Sequence, residues 1–203
     1  MLLASVQSIR ESLGYDDMTD INTAIEMSLH AAEHQIASVL QTSFERSDVT
    51  DTFWVYRPGF VQGAHSETQF KLSRGFLASA PTIEVVEAGG FSSGASKNVT
   101  GSMAVDLERG VVTDFTTRFT QQYVRFTYQA GFEPDPDNDQ SYNLDQVPSW
   151  LQEAAKLRCL IHIANNPSIT EVGIKLDTPV LEAQYAALIH RHLRYAPMAL
   201  LPM

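Results

Sequence analysis

The chain has 203 residues, 44% hydrophobic and 19% charged, so it can build a packed core and is not wholly disordered. Its 14 Lys and Arg against 24 Asp and Glu give a net charge of −10, which argues against a protein that clamps nucleic acid. The single cysteine, Cys159, excludes an internal disulfide and fits a reducing compartment. Because no apolar run approaches ~18 residues and no basic leader is present, we expect no membrane helix and no signal peptide, but a soluble protein made in a cytoplasm.

The N-terminal part of the chain has helical periodicity. A short helix is predicted over Leu2–Leu13, ended by Gly14, a residue favoured just past a helix end. Apolar residues then recur at steps of three and four from Met18 to Phe44, which predicts an amphipathic helix roughly 40 Å long. Such a stripe must be buried, so we assign it to the core and to a subunit interface. It includes Ile21, Ile25, Leu29, Ile36 and Leu40.

Between residues 50 and 132 the pattern changes to that of strands. Short stretches rich in β-branched and aromatic residues alternate with turn signals such as Pro58-Gly59 and Gly89-Gly90. In Tyr123–Tyr128 successive residues face opposite sides of a strand. We predict an antiparallel module with strands at Thr52–Arg57, Thr68–Ser73, Thr82–Glu87, Ser102–Asp106, Gly110–Asp114 and Tyr123–Gln129.

Helix returns after a polar, acidic loop. A helix is predicted over Trp150–Ala164, opened by Pro148, and a last one from Val180 to about Leu193, opened by Thr178-Pro179. The predicted fold class is α+β: N- and C-terminal helices form a helical bundle with an inserted antiparallel β module. The predicted divisions are 1–49 and 147–193 for the helical domain, 50–132 for the β module, 133–146 for the loop and 194–203 for an extended tail.

Three motifs that carry chemistry elsewhere are incomplete here. His30, Glu33 and His34 match the H-x-x-E-H zinc pattern, but no third ligand follows at helical spacing. Gly90–Gly94 matches G-x-S-x-G without the helix that a nucleophile elbow requires. Asp135, Asp137 and Asp139 resemble a calcium loop, yet the Gly and the closing Glu are missing. We therefore predict no catalytic residue, no metal and no cofactor, while a metal-dependent hydrolase on the H-x-x-E-H helix and a ligand-binding β module stay open as alternatives.

The order of four stretches carries a family resemblance. They are DDMTDINTAIEMSLHAAEHQIASVLQTSF, FKLSRGFLASAPTIEVVEAGG, MAVDLERGVVT followed by YVRFTYQAGF, and VPSWLQEAAKLRCLIHIANNP. In this order they resemble the head–tail connector (adaptor, head-completion) proteins of tailed bacteriophages, over nearly the whole chain. The family often has a Pro-Leu pair before the second strand and a Tyr/Arg-rich end to the Val-Pro helix. Here Ala80-Pro81 and Ile163-Ala164-Asn165-Asn166 stand in those places, so the subfamily stays open.

The resemblance implies a structural virion protein without catalytic residues, assembled in the host cytoplasm. It would form a homo-oligomeric ring of about twelve copies below the portal protein, extending the DNA channel, with genomic DNA passing through unbound. The β module and loops would face the next neck or tail protein. The tail is too apolar for a free segment, and prolines stop it continuing a helix; since the resemblance places the portal on this side, we predict that it docks on the portal. The alternative is that the tail folds back over its own helices. The predicted contacts are Arg191, Arg194, Tyr195, Met198, Leu200 and Leu201.

Overall fold

Helices and sheets occupy different parts of the chain. The computed structural model describes residues 1–15, 21–55, 68–86, 97–98, 103–114, 122–166 and 176–193. They form two units: unit 1 comprises residues 1–40 and 132–193, and unit 2 comprises residues 41–131. Unit 1 holds the helices and one short hairpin, and unit 2 holds the two larger antiparallel sheets. The predicted α+β class with an inserted β module is confirmed.

The helices of unit 1 are α1 (Val6–Leu13), α2 (Asn22–Leu40), α3 (Ser149–Ala164) and α4 (Thr178–His192). Polar caps fix two of their starts. The Ser5 side chain accepts the N–H of Ser8 at the start of α1, and the Asp177 side chain accepts the N–H of Val180 at the start of α4. Gly14 ends α1 in the left-handed conformation, as the sequence predicts.

Helix α2 is shorter than predicted. It has 19 residues and is therefore about 28 Å long. It ends at Leu40 because Gln41 has a φ of 52°, outside the helical region. Beyond this turn Phe44 packs in unit 2, where its ring lies 5.6 Å from that of Phe76. The other predicted end, Met18, lies outside the described residues.

Helix α3 is the centre of the helical packing in unit 1. It packs against both α2 and α4. It is apolar around most of its circumference, because a helix covered on several sides must present apolar side chains in several directions. Its buried residues are Leu151, Ala154, Ala155, Leu157, Cys159, Leu160, Ile161 and Ile163. Within the described part of the chain, no helix is long and apolar enough to span a membrane.

Unit 2 contains all six predicted strands, within one or a few residues at most ends. Strands β1, β7, β3 and β4 form one sheet in that order, and β2, β6 and β5 form another. Three phenylalanine rings, Phe53, Phe70 and Phe126, meet in a shared core with centroids 5.1 to 5.4 Å apart. The strands are β1 (Ser47–Val55), β2 (Thr68–Lys71), β3 (Thr82–Val86), β4 (Lys97–Asn98), β5 (Met103–Asp106), β6 (Val111–Asp114) and β7 (Gln122–Ala130).

Strand β1 starts at Ser47 rather than at the predicted Thr52. It pairs with β7 over its whole length, from Ser47 opposite Ala130 to Val55 opposite Gln122. The first part of β1 is polar, so the sequence alone does not mark it as a strand; the partner strand supplies the hydrogen bonds that order it.

Residues 133–146 are not simply a loop. They contain a hairpin of β8 (Pro134–Asp135) and β9 (Asn138–Tyr142) in unit 1. The hairpin is held by a parallel bridge between Leu2 and Ser141 and by the ring of Tyr142, whose centroid lies 6.0 Å from that of Phe132. Leu2 is distant in sequence from the hairpin, which is why the acidic composition predicted only a loop.

Candidate functional site

The H-x-x-E-H motif does not form a metal centre in the described structure. Nδ1 of His30 lies 3.9 Å from Oε2 of Glu33, and the other carboxylate oxygen accepts a hydrogen bond of 2.8 Å from the Tyr142 hydroxyl. Glu33 thus joins α2 to the β8–β9 hairpin. Among the described residues, no three His, Cys, Asp or Glu side chains are placed to hold a metal ion. The geometry gives no support to the hydrolase alternative.

The other candidate reactive groups have structural roles or lie outside the described residues. Residues 90–94, the G-x-S-x-G match, are outside the described residues. The Asp135 side chain accepts the backbone N–H of Asp137 and so shapes the hairpin turn. Cys159 is completely buried, and its burial raises the pKa of the thiol to about 12. A thiol with this pKa is a core group rather than a nucleophile.

The predicted stripe of α2 lies in the core of unit 1. Ile25, Leu29, Ile36 and Leu40 each expose 1% of their surface or less, and Ile21 is half-buried. Because the chain itself covers these side chains, they are not available to a neighbouring molecule in this conformation. Contacts with another protein would have to use other faces of the helix.

The predicted tail contacts fall mostly outside the described residues. Arg194, Tyr195, Met198, Leu200 and Leu201 all lie in residues 194–203. Arg191 is described: it is exposed in the last turn of α4, next to His190 and His192. Cations suit this end of a helix because the carbonyl groups of the last turn carry partial negative charge.

Two ring contacts join helix α4 to α3. Trp150, at the start of α3, stacks on His192 at the end of α4, with centroids 3.8 Å apart and planes 9° apart. Near the middle, the Arg158 guanidinium lies 5.5 Å from the centre of the Tyr185 ring, and its Nε donates to Gln35 of α2. Burial raises the pKa of Tyr185, and the nearby Arg158 lowers it in part. These contacts hold the end and the middle of α4 against α3.

Two exposed helix faces were not singled out by sequence reasoning. The outer stripe of α2 lies opposite its buried face, and the outer stripe of α4 lies opposite Ile189. Met27 in the first is 70% exposed and Val180 in the second is 48% exposed. The outer stripe of α2 comprises Thr23, Met27, His30, His34 and Ser38; that of α4 comprises Val180, Ala183, Ala187 and His190. The outer stripe of α2 could have been predicted from the sequence, because its residues lie opposite the predicted core face of the helix.

Unit 2 contains a buried polar cluster around Asp51. The carboxylate of Asp51, which is 5% exposed, accepts hydrogen bonds of 2.7 Å from the Tyr128 hydroxyl and from the N–H of Ser73. The Tyr128 oxygen in turn accepts the N–H of Arg74 at 3.2 Å. Burial, with the Asp51 carboxylate nearby, raises the pKa of Tyr128 to about 12. The cluster pins the segment after β2 to β1 and β7, so its role is structural.

No family model and no curated protein matches this chain, which is similar to chains in solved structures of particles. It is similar to a chain in the neck of an empty gene transfer agent (GTA) particle computed with C6 symmetry: 15% identity, TM-score 0.46, covering 96% of this chain and 91% of that one. It is similar to a chain in the virion of a native GTA particle, with 14% identity, TM-score 0.48 and coverage of 96% and 91%. It is also similar to a chain in the neck of a native GTA particle computed with C12 symmetry. The identity is 16% and the TM-score 0.46, and the match covers 94% of this chain and 88% of that one.

Proposed function

We propose that this protein is a structural neck component: a head–tail adaptor that forms a ring below the portal of a phage-like particle. The ring continues the DNA channel and offers a platform for the next neck or tail protein. No step of this function requires a catalytic group, and the described residues contain no assembled metal centre.

The observation that carries the proposal is the position of two of the motifs whose order carries the resemblance. Tyr128-Gln-Ala-Gly131-Phe132 lies where the chain returns from unit 2 to unit 1, and Val147-Pro148 opens α3. At the first of these, Gly131 has a φ of 91°, and a Cβ there would lie 2.4 Å from the carbonyl oxygen of Glu45. Only glycine fits this backbone crossing. The glycine of the shared motif is therefore required by close backbone packing, which supports a common architecture rather than a chance match.

The charge of the chain supports its place around a DNA channel. With a net charge of −10, a lumen built from this surface repels phosphate. Two arginines of unit 2 already have partners: Arg125 lies 3.4 Å from Glu84, and Arg74 donates to the Glu45 carbonyl and to Ser47. These contacts hold the two guanidinium groups on acceptors of the protein itself rather than on a phosphate.

The position of the α4 exit supports docking through the tail. The Trp150–His192 stack fixes the end of α4, from which residues 194–203 continue. We assign the portal contact to this tail, with Arg191 as a cation at its base. The β module and the hairpin are then left for the tail-side partner.

The test is to locate the protein in purified particles. Electron cryomicroscopy of the neck, with antibody or fusion labelling of this chain, should show a ring of about twelve copies next to the portal. A single copy per portal, or density elsewhere in the particle, would refute the adaptor function. A protein absent from purified particles would refute any virion role.

A further inference from the structure

We propose that Arg158, on helix α3 of unit 1, is a binding site for a carboxylate, and that an Asp or Glu side chain of a second copy of this chain supplies it. The inference rests on the proposed function, because it names a contact between neighbouring copies of the ring. The site is incomplete in one copy, and the neighbouring copy completes it.

The guanidinium group of Arg158 is held by neutral groups of two other helices. Its Nε donates to the side-chain oxygen of Gln35 on α2, and the group lies over the Tyr185 ring of α4, 5.5 Å from its centre. These contacts use Nε and the flat face of the group. The two Nη groups, which carry most of the N–H donors, are open to solvent and have no acceptor among the described residues. A guanidinium held in this way turns its main donor edge to solvent.

The charge of Arg158 is not neutralised within the described part of the chain. No carboxylate oxygen of a described residue lies within 4.0 Å of it, whereas Arg125 has Glu84 at 3.4 Å. Glu182 is one helical turn before Tyr185 on α4, but it is exposed and forms no ion pair with Arg158. Arg158 therefore differs from an arginine that already has an acidic partner in its own chain.

The neighbouring histidine adds no second permanent charge. His162 lies one helical turn further along α3, and its Nε2 is buried without a hydrogen-bond partner among the described residues. Burial lowers the pKa of His162, and the charge of Arg158 lowers it further. A lowered pKa keeps the imidazole mostly neutral at neutral pH. The cluster of Gln35, Arg158, His162 and Tyr185 thus carries the single permanent charge of the arginine.

A carboxylate matches this cluster in shape and in charge. The paired Nη groups present parallel N–H bonds to the oxygens of a planar anion, which is the bidentate geometry of arginine–carboxylate pairs. The Tyr185 hydroxyl is open to solvent and has no partner among the described residues, so it offers a further donor. A phosphate group carries roughly two negative charges, which one arginine leaves partly uncompensated.

The net charge of the chain favours a second copy as the source of the carboxylate. Each copy has 24 Asp and Glu against 14 Lys and Arg, so carboxylates are in excess. Two such copies repel one another, and a contact between them is favoured where a cation without an acidic partner meets an acidic side chain. Because Arg158 is such a cation, every copy in a ring would carry one site and donate one carboxylate.

Zero-length cross-linking tests the contact and identifies the carboxylate. Arg158→Lys places a primary amine at the site, and a water-soluble carbodiimide joins an amine to a carboxylate when the two are in contact. Unlabelled and heavy-nitrogen-labelled full-length protein are mixed at high concentration, cross-linked and analysed as peptides by mass spectrometry. Links within one copy carry one label, whereas links between copies also carry both. Circular dichroism verifies that the variant is folded.

Arg125→Lys is the matched control, because that arginine already has Glu84 of its own copy as a partner. Its amine should link to Glu84 within one copy. The native Lys156, close to Arg158 on α3, measures chance encounters between copies in both proteins.

The Arg158→Lys amine should give about tenfold more mixed-label links than Lys156, all to one acidic residue, since a specific contact raises the local concentration of the two groups. Mixed-label links no more frequent than those of Lys156 would overturn the proposal. A link to Glu182 within one copy would overturn it as well, because the chain would then complete the site by itself.

The outcome is separable from the proposed function. If particles contain a ring of this chain but no specific link between copies forms, the ring uses other contacts and only this inference is wrong. If the link forms but the chain is absent from necks, the self-contact stands and the adaptor function is refuted.

Discussion

Replacing Gly131 by alanine should damage this protein far more than the same change at Gly14. Both glycines have positive φ, 91° at Gly131 and 73° at Gly14. Their surroundings differ. A Cβ at Gly131 would lie 2.4 Å from the carbonyl oxygen of Glu45 and 2.6 Å from that of Phe44, whereas a Cβ at Gly14 would meet nothing within 4 Å. The atoms at Gly131 are backbone atoms and cannot rotate away.

The expected losses follow from two separate costs. Holding an alanine at positive φ costs roughly 1–2 kcal/mol at either site. At Gly131 the backbone of residues 44 and 45 must also move, and forcing extra atoms into a packed site costs roughly a further 1–3 kcal/mol. Gly131→Ala should therefore lower the free energy of unfolding by about 2–5 kcal/mol, and Gly14→Ala by about 1–2 kcal/mol.

Urea denaturation measures the difference. Far-UV circular dichroism and tryptophan fluorescence follow both units, because Trp54 lies in unit 2 and Trp150 in unit 1. The linear extrapolation gives the free energy of unfolding for each variant. An equal loss of unfolding free energy in the two variants, or a smaller loss in Gly131→Ala, would refute this reasoning. It would mean that the backbone of residues 44 and 45 leaves room for a side chain at position 131.

Three further outcomes are expected. Folding raises the pKa of Cys159 from 9.0 to about 12 and that of Tyr128 from 10.0 to about 12. The folded chain therefore holds both protons more tightly than the unfolded chain does. The free energy of unfolding should be constant just below pH 9 and fall between pH 9 and 12. Cys159→Ala should delay this fall towards pH 10 in thermal melts, and a fall below pH 8 in both proteins would contradict the assignment. Deleting residues 195–203 should leave the helix content unchanged but abolish co-purification with the portal; full portal binding by the truncated protein would refute tail docking. Duplex DNA should show no binding to micromolar protein in anisotropy titrations at moderate salt, and a salt-dependent complex would contradict an unbound passage of DNA.

Local patterns in the sequence were enough to predict the main elements. The recurrence of Ile25, Leu29 and Ile36 predicts an amphipathic helix because side chains at these spacings share one face. The alternation of Val124, Phe126 and Tyr128 predicts a strand with one buried face, and these residues are 5% exposed or less. Gly14 predicts a helix end. Each of these signals acts within one or two turns, so no distant partner is needed to interpret it.

The tertiary structure decided the features that depend on distant partners. Ser47 joins β1 only because β7 lies beside it, and the hairpin in the acidic segment after Phe132 is anchored by Leu2, far earlier in the chain. Glu33 belongs to a zinc motif by spacing, but the Tyr142 hydroxyl, far along the chain, makes it a structural acceptor. The same holds for the outer stripes of α2 and α4. Periodicity shows that a helix has an apolar side, but only the packing of α3 between its neighbours decides which side is covered and which is left exposed.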